Sequence, residues 1–306
     1  MIKNFQEILR KVKNENVKKV SVAVAQDKHL LEAIKDAYAE GIVDAILIGD
    51  KKEIKVIASE IGLDLNKLEL IDEPDKNKAA LKAVELVRLG KADMVMKGLI
   101  DTKTFLKAIL DKEVGLRTGK LMSHVSVFEI STIDRLIFIT DAAFNMYPEL
   151  KDKIEIVKNA ITVAEAIGIE KPKVAAICAI EVVNENMKAT VDAAILSKMS
   201  DRGQIENCII DGPLAIDNAL SEESASHKGI ISDVAGKADI LLMPNIESGN
   251  VMYKTLTYTS DCKNGGLLVG TSAPVILTSR SDSKESKVYS IALAALVANK
   301  RVKDRV

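Results

Sequence analysis

Short runs of β-branched and aliphatic residues alternate along this chain with longer stretches in which apolar residues recur at helical spacing. That alternation predicts parallel strands joined by crossover helices. The expected strands are "VKKVSVAVA", "AILIG", "LELID", "DMVMKG", "HVSVFEI", "RLIFITD", "KVAAICAI", "NCIIDGPL", "DILLMP", "GGLLVGT" and "PVILTS". Between them the helical period marks "HLLEAIKDAYAEG", "KNKAALKAVELVRLG", "KDKIEIVKNAITVAEAIG", "VDAAILSKMSDRG" and "VYSIALAALVANK". So many βα units exceed one comfortable sheet, and two α/β lobes with a cleft between them are expected. In "HVSVFEISTIDRLIFITD" two strands follow each other across a short polar turn at Ser131 to Asp134, which breaks the alternation and places a domain boundary near Ser131.

Composition narrows the class. A length of 306 residues with 47% apolar content supplies a substantial core. Lys and Arg total 43 against 44 Asp and Glu, so no global field recruits nucleic acid or an anionic membrane, and any anion site is local. Cys178, Cys208 and Cys262 form no CxxC pair and read as reduced thiols. No signal-type apolar segment opens the chain, and no run approaches the roughly 18 apolar residues of a membrane span. A cytoplasmic protein is expected.

Ligands of open α/β sheets collect at the carboxyl ends of strands, so the strand-to-helix joints are the places to look for chemistry. In "ILTSRSDSKESK" a strand runs into Ser279, Arg280, Ser281 and Asp282 just before a helix that is expected to start near Asp282 or Ser283. The unpaired N–H groups of the helix start and the guanidinium of Arg280 together suit an anion or a developing oxyanion. Asp282 with Glu285 also fits a capping box, which assigns that carboxylate a purely local role. "LLMPNIESGNVMYKTL" presents Ser248, Gly249 and Asn250 at a helix opening: Gly249 permits close approach of a ligand, and Ser248 or Asn250 suits a cap. "MVMKGLIDTKTFLKAIL" presents Lys97 and Gly98 at a strand end, followed by a helix carrying Lys103 and Lys107. Asp211 and Asp217, in "CIIDGPLAIDNAL", are paired carboxylates with either acid–base or turn and cap roles. His124 opens an apolar strand, as a near-core residue or a substrate contact.

Other patterns fail. "GLRTGK" has too few residues between its glycines and no Ser or Thr after Lys120, so it is no Walker loop. The first strand lacks GxGxxG, and His29, His124 and His227 lack metal-ligand spacing, so neither a nicotinamide cofactor nor a metal is expected. Met94, Met96, Met199 and Met243 fall at core spacings.

"MKGLIDTKTFLKAIL", "GLRTGKLMSHVSVFE", "VDAAILSKMSDRGQI", "DGPLAIDNALS", "HKGI", "VAGKADILLMPNIESGNVMYK" and "ILTSRSDSKESKVYSIALA", in this order, resemble the phosphate acetyl/butyryl transferase family on its butyryl side, from about Val17 to Ala298. The resemblance implies reversible attack of inorganic phosphate on a short acyl-CoA, butyryl preferred, giving CoA and an acyl phosphate in a ternary complex. It implies two three-layer α/β/α lobes of the isocitrate/isopropylmalate dehydrogenase type, residues 1–131 with 272–306 and residues 132–271, usually in a homo-oligomer. Coenzyme A and phosphate are then substrates, with no resident cofactor. By similarity Ser279 hydrogen-bonds the CoA sulfur and Arg280 stabilises the transition state. The acetyltransferase branch carries an aspartate seven residues after the motif serine, where this chain has Ser286; either Asp282 replaces it or no dedicated carboxylate is needed. The family's phosphate-binding arginine falls by register at Leu106 or Lys107. The alternatives are another acyl chain (acetyl, branched or longer), a decarboxylating dehydrogenase on the same fold, and a non-catalytic acyl-CoA or phosphate-binding protein.

Overall fold

The computed structural model describes residues 2–278 and 282–303. The chain forms two compact units: a terminal unit of Phe5–Lys120 with Gly265–Val306, and a middle unit of Met1–Asn4 with Leu121–Asn264. The terminal unit opens with α1 (Phe5–Lys13), β1 (Lys18–Ala23), α2 (Lys28–Ala39), β2 (Val43–Gly49), α3 (Lys51–Ile61), β3 (Glu69–Asp72), α4 (Lys76–Arg88), β4 (Met94–Lys97) and α5 (Thr102–Ile109). The middle unit follows with β5 (Ser123–Ile130), β6 (Leu136–Thr140), α6 (Leu150–Ile167), β7 (Lys173–Ile177), α7 (Lys188–Asp201), β8 (Ile209–Leu214), α8 (Ile216–Leu220), α9 (Glu222–His227), β9 (Ile240–Leu242) and α10 (Ile246–Thr259). The chain returns through β10 (Cys262–Val269), β11 (Val275–Ile276) and α11 (Lys284–Lys303).

All eleven expected strands form. β1 and β4 read as largely apolar runs because they are parallel and covered on both faces: every residue of β4 is buried, and all but one of β1. Asp27, Asp50, Asp75 and Asp101 start α2, α3, α4 and α5, each accepting from a backbone N–H of its own first turn.

Strand order in the terminal unit is β3-β2-β1-β4-β11-β10. The chain builds outward from β1 to β3, then crosses back to lay β4 on the other side of β1. That reversal is a topological switch point, the kind of strand end at which open α/β sheets take their ligands. The middle unit has the order β5-β6-β9-β7-β8, with β5 antiparallel to β6 and the others parallel. Its core gathers Phe128, Ile137, Ile139, Val234 and Leu241.

The units part at Lys120/Leu121 and Asn264/Gly265, not at Ser131 and Thr271. Strand β5 pairs with β6 from Ser126↔Ile139 to Glu129↔Leu136, which draws it into the middle unit. At the other junction the Asn264 amide donates to Thr257 Oγ1 at 3.2 Å, whereas the Gly266 N–H donates to Ser290 Oγ of α11 at 2.9 Å.

Candidate active site

The terminal unit brings three strand ends together. Ala23 lies opposite Lys97 across β1 and β4, and Met96 lies opposite Ile276 across β4 and β11. Beyond Ile276 the chain continues through Leu277 and the buried Thr278 towards Ser279 and Arg280. Ser279 and Arg280 themselves lie outside the described residues.

Gly98 shows how close this edge is packed. Its N–H donates to Ala23 O at 2.8 Å, and a Cβ added there would stand 2.2 Å from Val24 O. Val24 itself has φ of +56°, a left-handed conformation that a β-branched residue rarely adopts. Strain of this kind at the end of a switch-point strand is held by its surroundings and is typical of functional loops. Lys97 is buried, and its ammonium donates to Gly98 O at 3.3 Å and Ile100 O at 3.1 Å. The ends of β4 and β11, at Lys97 and Ile276, are thus neighbours. Lys107 is not with them; it is exposed in the last turn of α5, where it helps hold the Asp111 carboxyl below its ordinary range, behind the hydrogen bonds from the Val114 and Glu113 N–H groups.

The start of α11 corrects the expected capping box. The helix begins at Lys284, and Ser283 Oγ accepts from Ser286 N at 3.0 Å, so Ser283 and not Asp282 caps it. A hydroxyl one residue closer to the helix reaches the N3 amide, which frees the Asp282 carboxylate from that role. The Asp282 carbonyl accepts instead from the ammonium of Lys287 at 2.5 Å. Lys287 is only 3% exposed, and burial pushes its pKa below the ordinary lysine value. Sequence reasoning missed it, because nothing in "KESK" separates it from the exposed lysines.

The middle unit holds the second group. The buried Asp141, at the end of β6, accepts from the backbone N–H groups of His124 (3.1 Å), Ala143 (2.9 Å), Phe144 (2.9 Å) and Asn145 (3.2 Å), and from Asn145 Nδ2 at 2.7 Å. Its peptide bond with Thr140 is cis. His124 is buried, with Nδ1 3.2 Å from Ser126 Oγ. Neither Asp141 nor Asn145 was anticipated; the available signal was an acidic residue ending the strand "RLIFITD".

Two of the three residues expected at the opening of α10, Gly249 and Asn250, lie against this loop. Gly249 packs so that a Cβ would meet Asp141 O at 2.5 Å, and Asn250 Nδ2 donates to Ala142 O at 3.1 Å. The cap is Asn245, whose Oδ1 accepts from Ser248 N at 3.0 Å, rather than Ser248 or Asn250. Ser248 Oγ donates to Asn245 O at 3.0 Å. The helix opens two residues earlier than its polar cluster suggests, since an asparagine at the strand exit suffices as cap.

Asp211 and Asp217 do not behave as an acid–base pair. Asp211 accepts from its neighbour Gly212 N at 2.8 Å. Asp217 accepts from Ser224 Oγ and pairs with Lys228, and these bonds hold its carboxyl below the ordinary range. Among the described residues no group of three or more His, Cys, Asp and Glu is placed to hold a metal ion, and no helix is long and apolar enough to cross a membrane.

The family model described as phosphate acetyl/butaryl transferase matches residues 4–79 and 74–295. Phosphate butyryltransferase of Clostridium acetobutylicum is 68% identical over 301 residues, covering 98% of this chain and 100% of the relative. The crystal structure of a branched-chain phosphotransacylase from Enterococcus faecalis V583 superposes with a TM-score of 0.82 at 35% identity, covering 92% of this chain and 99% of that one. A putative 4-hydroxythreonine-4-phosphate dehydrogenase from Salmonella typhimurium shares the fold at a TM-score of 0.57 and 14% identity, covering 92% and 100% of the two chains.

Proposed function

The chain belongs to the phosphate acetyl/butyryl transferase family, and from that premise we propose that it moves a short acyl group, butyryl preferred, between coenzyme A and inorganic phosphate. The observation that carries the reading is the near-complete match, at 68% identity, to the Clostridium acetobutylicum butyryltransferase. The switch point of the terminal unit supports it, because Lys97 and Gly98 stand at its strand ends, beside the β11 strand that precedes Ser279 and Arg280 in sequence.

In the reaction a phosphate oxygen forms a bond to the thioester carbonyl carbon, and the carbonyl electrons become an oxyanion. Collapse of that tetrahedral species breaks the carbon–sulfur bond and releases the CoA thiolate, which takes up a proton. Both negative charges develop within a few ångströms of one another, so fixed donors there lower the barrier more than they stabilise the substrates. We assign Arg280 to the oxyanion and Ser279 to the CoA sulfur, by similarity to the family pair. Phosphate is already an anionic nucleophile, so holding it against the thioester supplies much of the remaining acceleration without an acyl-enzyme. Coenzyme A and phosphate are substrates in this scheme, and no resident cofactor is invoked. A homo-oligomer in the cytoplasm, serving short-chain acid metabolism, fits the same reading.

The test is release of free CoA thiol from acetyl-, butyryl- and isobutyryl-CoA with and without phosphate. Phosphate-dependent release that peaks at the straight four-carbon chain is the expected result. A peak at acetyl or isobutyryl reassigns the chain preference, and no release from any thioester by folded protein overturns the transferase reading.

A further inference from the structure

The loop from β4 to the cap of α5 is short, Gly98 to Ile100, and it curls around one ammonium. Lys97, the last residue of β4, donates to the loop's first carbonyl, Gly98 O, at 3.3 Å and to its third, Ile100 O, at 3.1 Å. Two carbonyl oxygens turned towards one point repel each other, and a cationic donor between them reverses that repulsion. The lysine is 6% exposed. Burying an ammonium costs several kcal/mol, and an apolar side chain would complete the buried run of Met94, Val95 and Met96 without that cost.

The other side of the loop is held by the β1 exit. Gly98 N donates to Ala23 O and Leu99 N to Val24 O, both at 2.8 Å, while Ile100 N turns back to Gly98 O at 2.9 Å. Val24 is the residue with φ of +56°, so the strained β1 exit and the β4–α5 loop form one hydrogen-bonded unit. The loop delivers the chain to Asp101, whose carboxylate accepts from Thr104 N at 2.9 Å and starts α5. Lys97 thus reaches both ends of the segment that leaves β4 at the switch point.

We infer that Lys97 is a positioning residue for the transferase reaction: its ammonium, bridging Gly98 O and Ile100 O, sets the course of the β4–α5 loop against the β1 exit. The inference rests on the function proposed above, in which these strand ends take the substrates. Backbone at a reaction site has to be held within about 0.5 Å, and a shift of about 1 Å can cost 10²-fold in turnover.

The test compares the wild-type protein with Lys97→Met and Lys97→Arg, measuring kcat and KM for butyryl-CoA and phosphate, and hydrogen–deuterium exchange over residues 98–101. Lys97→Met is expected to lower kcat at least tenfold, to change both KM values less than threefold, and to speed exchange across the loop at least tenfold. Lys97→Arg, which keeps a cationic donor, is expected to restore protection of the loop and part of kcat. A folded Lys97→Met with kcat within twofold of wild type overturns the inference. So does a KM for either substrate that rises tenfold while kcat and exchange stay unchanged, since the ammonium would then touch substrate instead of shaping the loop. If Lys97→Met fails to fold, Lys97→Arg decides: a protected loop with kcat lost tenfold, or a loosened loop with full kcat, overturns the inference, whereas loop and turnover kept or lost together bear it out. Exchange reads the tie without turnover. Equal protection in wild type and Lys97→Met overturns it even if the wild-type protein releases no thiol, an outcome that separately removes the proposed function.

Discussion

The ammonium of Lys153, on α6, lies 2.8 Å from the carboxylate of Asp192, on α7, and each side chain is 6% exposed. Lys188, one turn before Asp192, adds a second cation at 3.0 Å from the same carboxylate, though its own side chain is largely in solvent. The pair borders a small pocket lined also by Ala176, Ile177, Leu242 and Met243 at the ends of β7 and β9. Asp192 is therefore shared by two cations, and only Lys153 depends on it inside the protein.

Asp192→Asn is expected to destabilise the protein by about 3–5 kcal/mol, the range for leaving a buried charge uncompensated. Lys153→Met should cost less, since Lys188 still neutralises Asp192 and the apolar side chain avoids the desolvation of an ammonium. Urea denaturation of both variants checks the order. Equal losses would mean that Lys188 contributes nothing to the pair.

Arg280→Ala is expected to lower kcat by about 10²–10³, or about 2.7–4 kcal/mol, the effect of removing one oxyanion donor. Ser279→Ala should be milder, because backbone donors remain. Thiol-release kinetics at saturating phosphate measure both, and a folded Arg280→Ala with wild-type kcat removes the assigned role.

Gly98→Ala places a methyl group 2.2 Å from Val24 O and 2.6 Å from Ala23 O, both backbone atoms that cannot swing away. Forcing the β1 and β4 exits apart should cost about 1–3 kcal/mol of stability. Turnover should fall further than stability alone explains, as a shift of about 1 Å at a site can cost 10²-fold. Thermal melting and kcat together separate the two losses.

Burial raises the Cys178 thiol to about 11 from an ordinary value of 9.0, and raises Cys208 as well, whereas Cys262 is only half-buried. A thiol whose folded pKa is raised is stabilising below its unfolded value, and that contribution disappears as pH rises through the folded value. Stability should accordingly decline between about pH 9 and 11. In native protein a thiol reagent at pH 8 should modify Cys262 fastest and reach Cys178 and Cys208 only on unfolding. Mass spectrometry of the modified peptides shows the order, and rapid modification of Cys178 would contradict its burial.

The strand pattern was legible because each strand carries its own signal. "DMVMKG" is apolar for its whole length since both faces of β4 are covered, and no distant information is needed to see that. Helix starts were less legible. Ser283, not Asp282, and Asn245, not Ser248 or Asn250, provide the caps. In each cluster several side chains have the chemistry to cap, and only the path of the backbone into the helix selects one. The edges of the units were misplaced for a related reason: β5 follows the first unit's residues in sequence, but its hydrogen bonds go to β6.

The sequence alone determined the α/β class, the positions of eleven strands, the Lys97–Gly98 joint and the Ser279–Arg280 motif, because these are local patterns or contiguous strings. Tertiary structure decided which of them meet. It placed β4 beside β1 and β11, gave Asp141 its five donors, and buried Lys287 while leaving Lys284, three residues earlier, to the carboxylate of Asp36. A lysine code does not say what surrounds its ammonium. Burial and partner choice depend on segments more than two hundred residues apart, such as Asp27 and Lys287, and those are set only when the sheet closes around them.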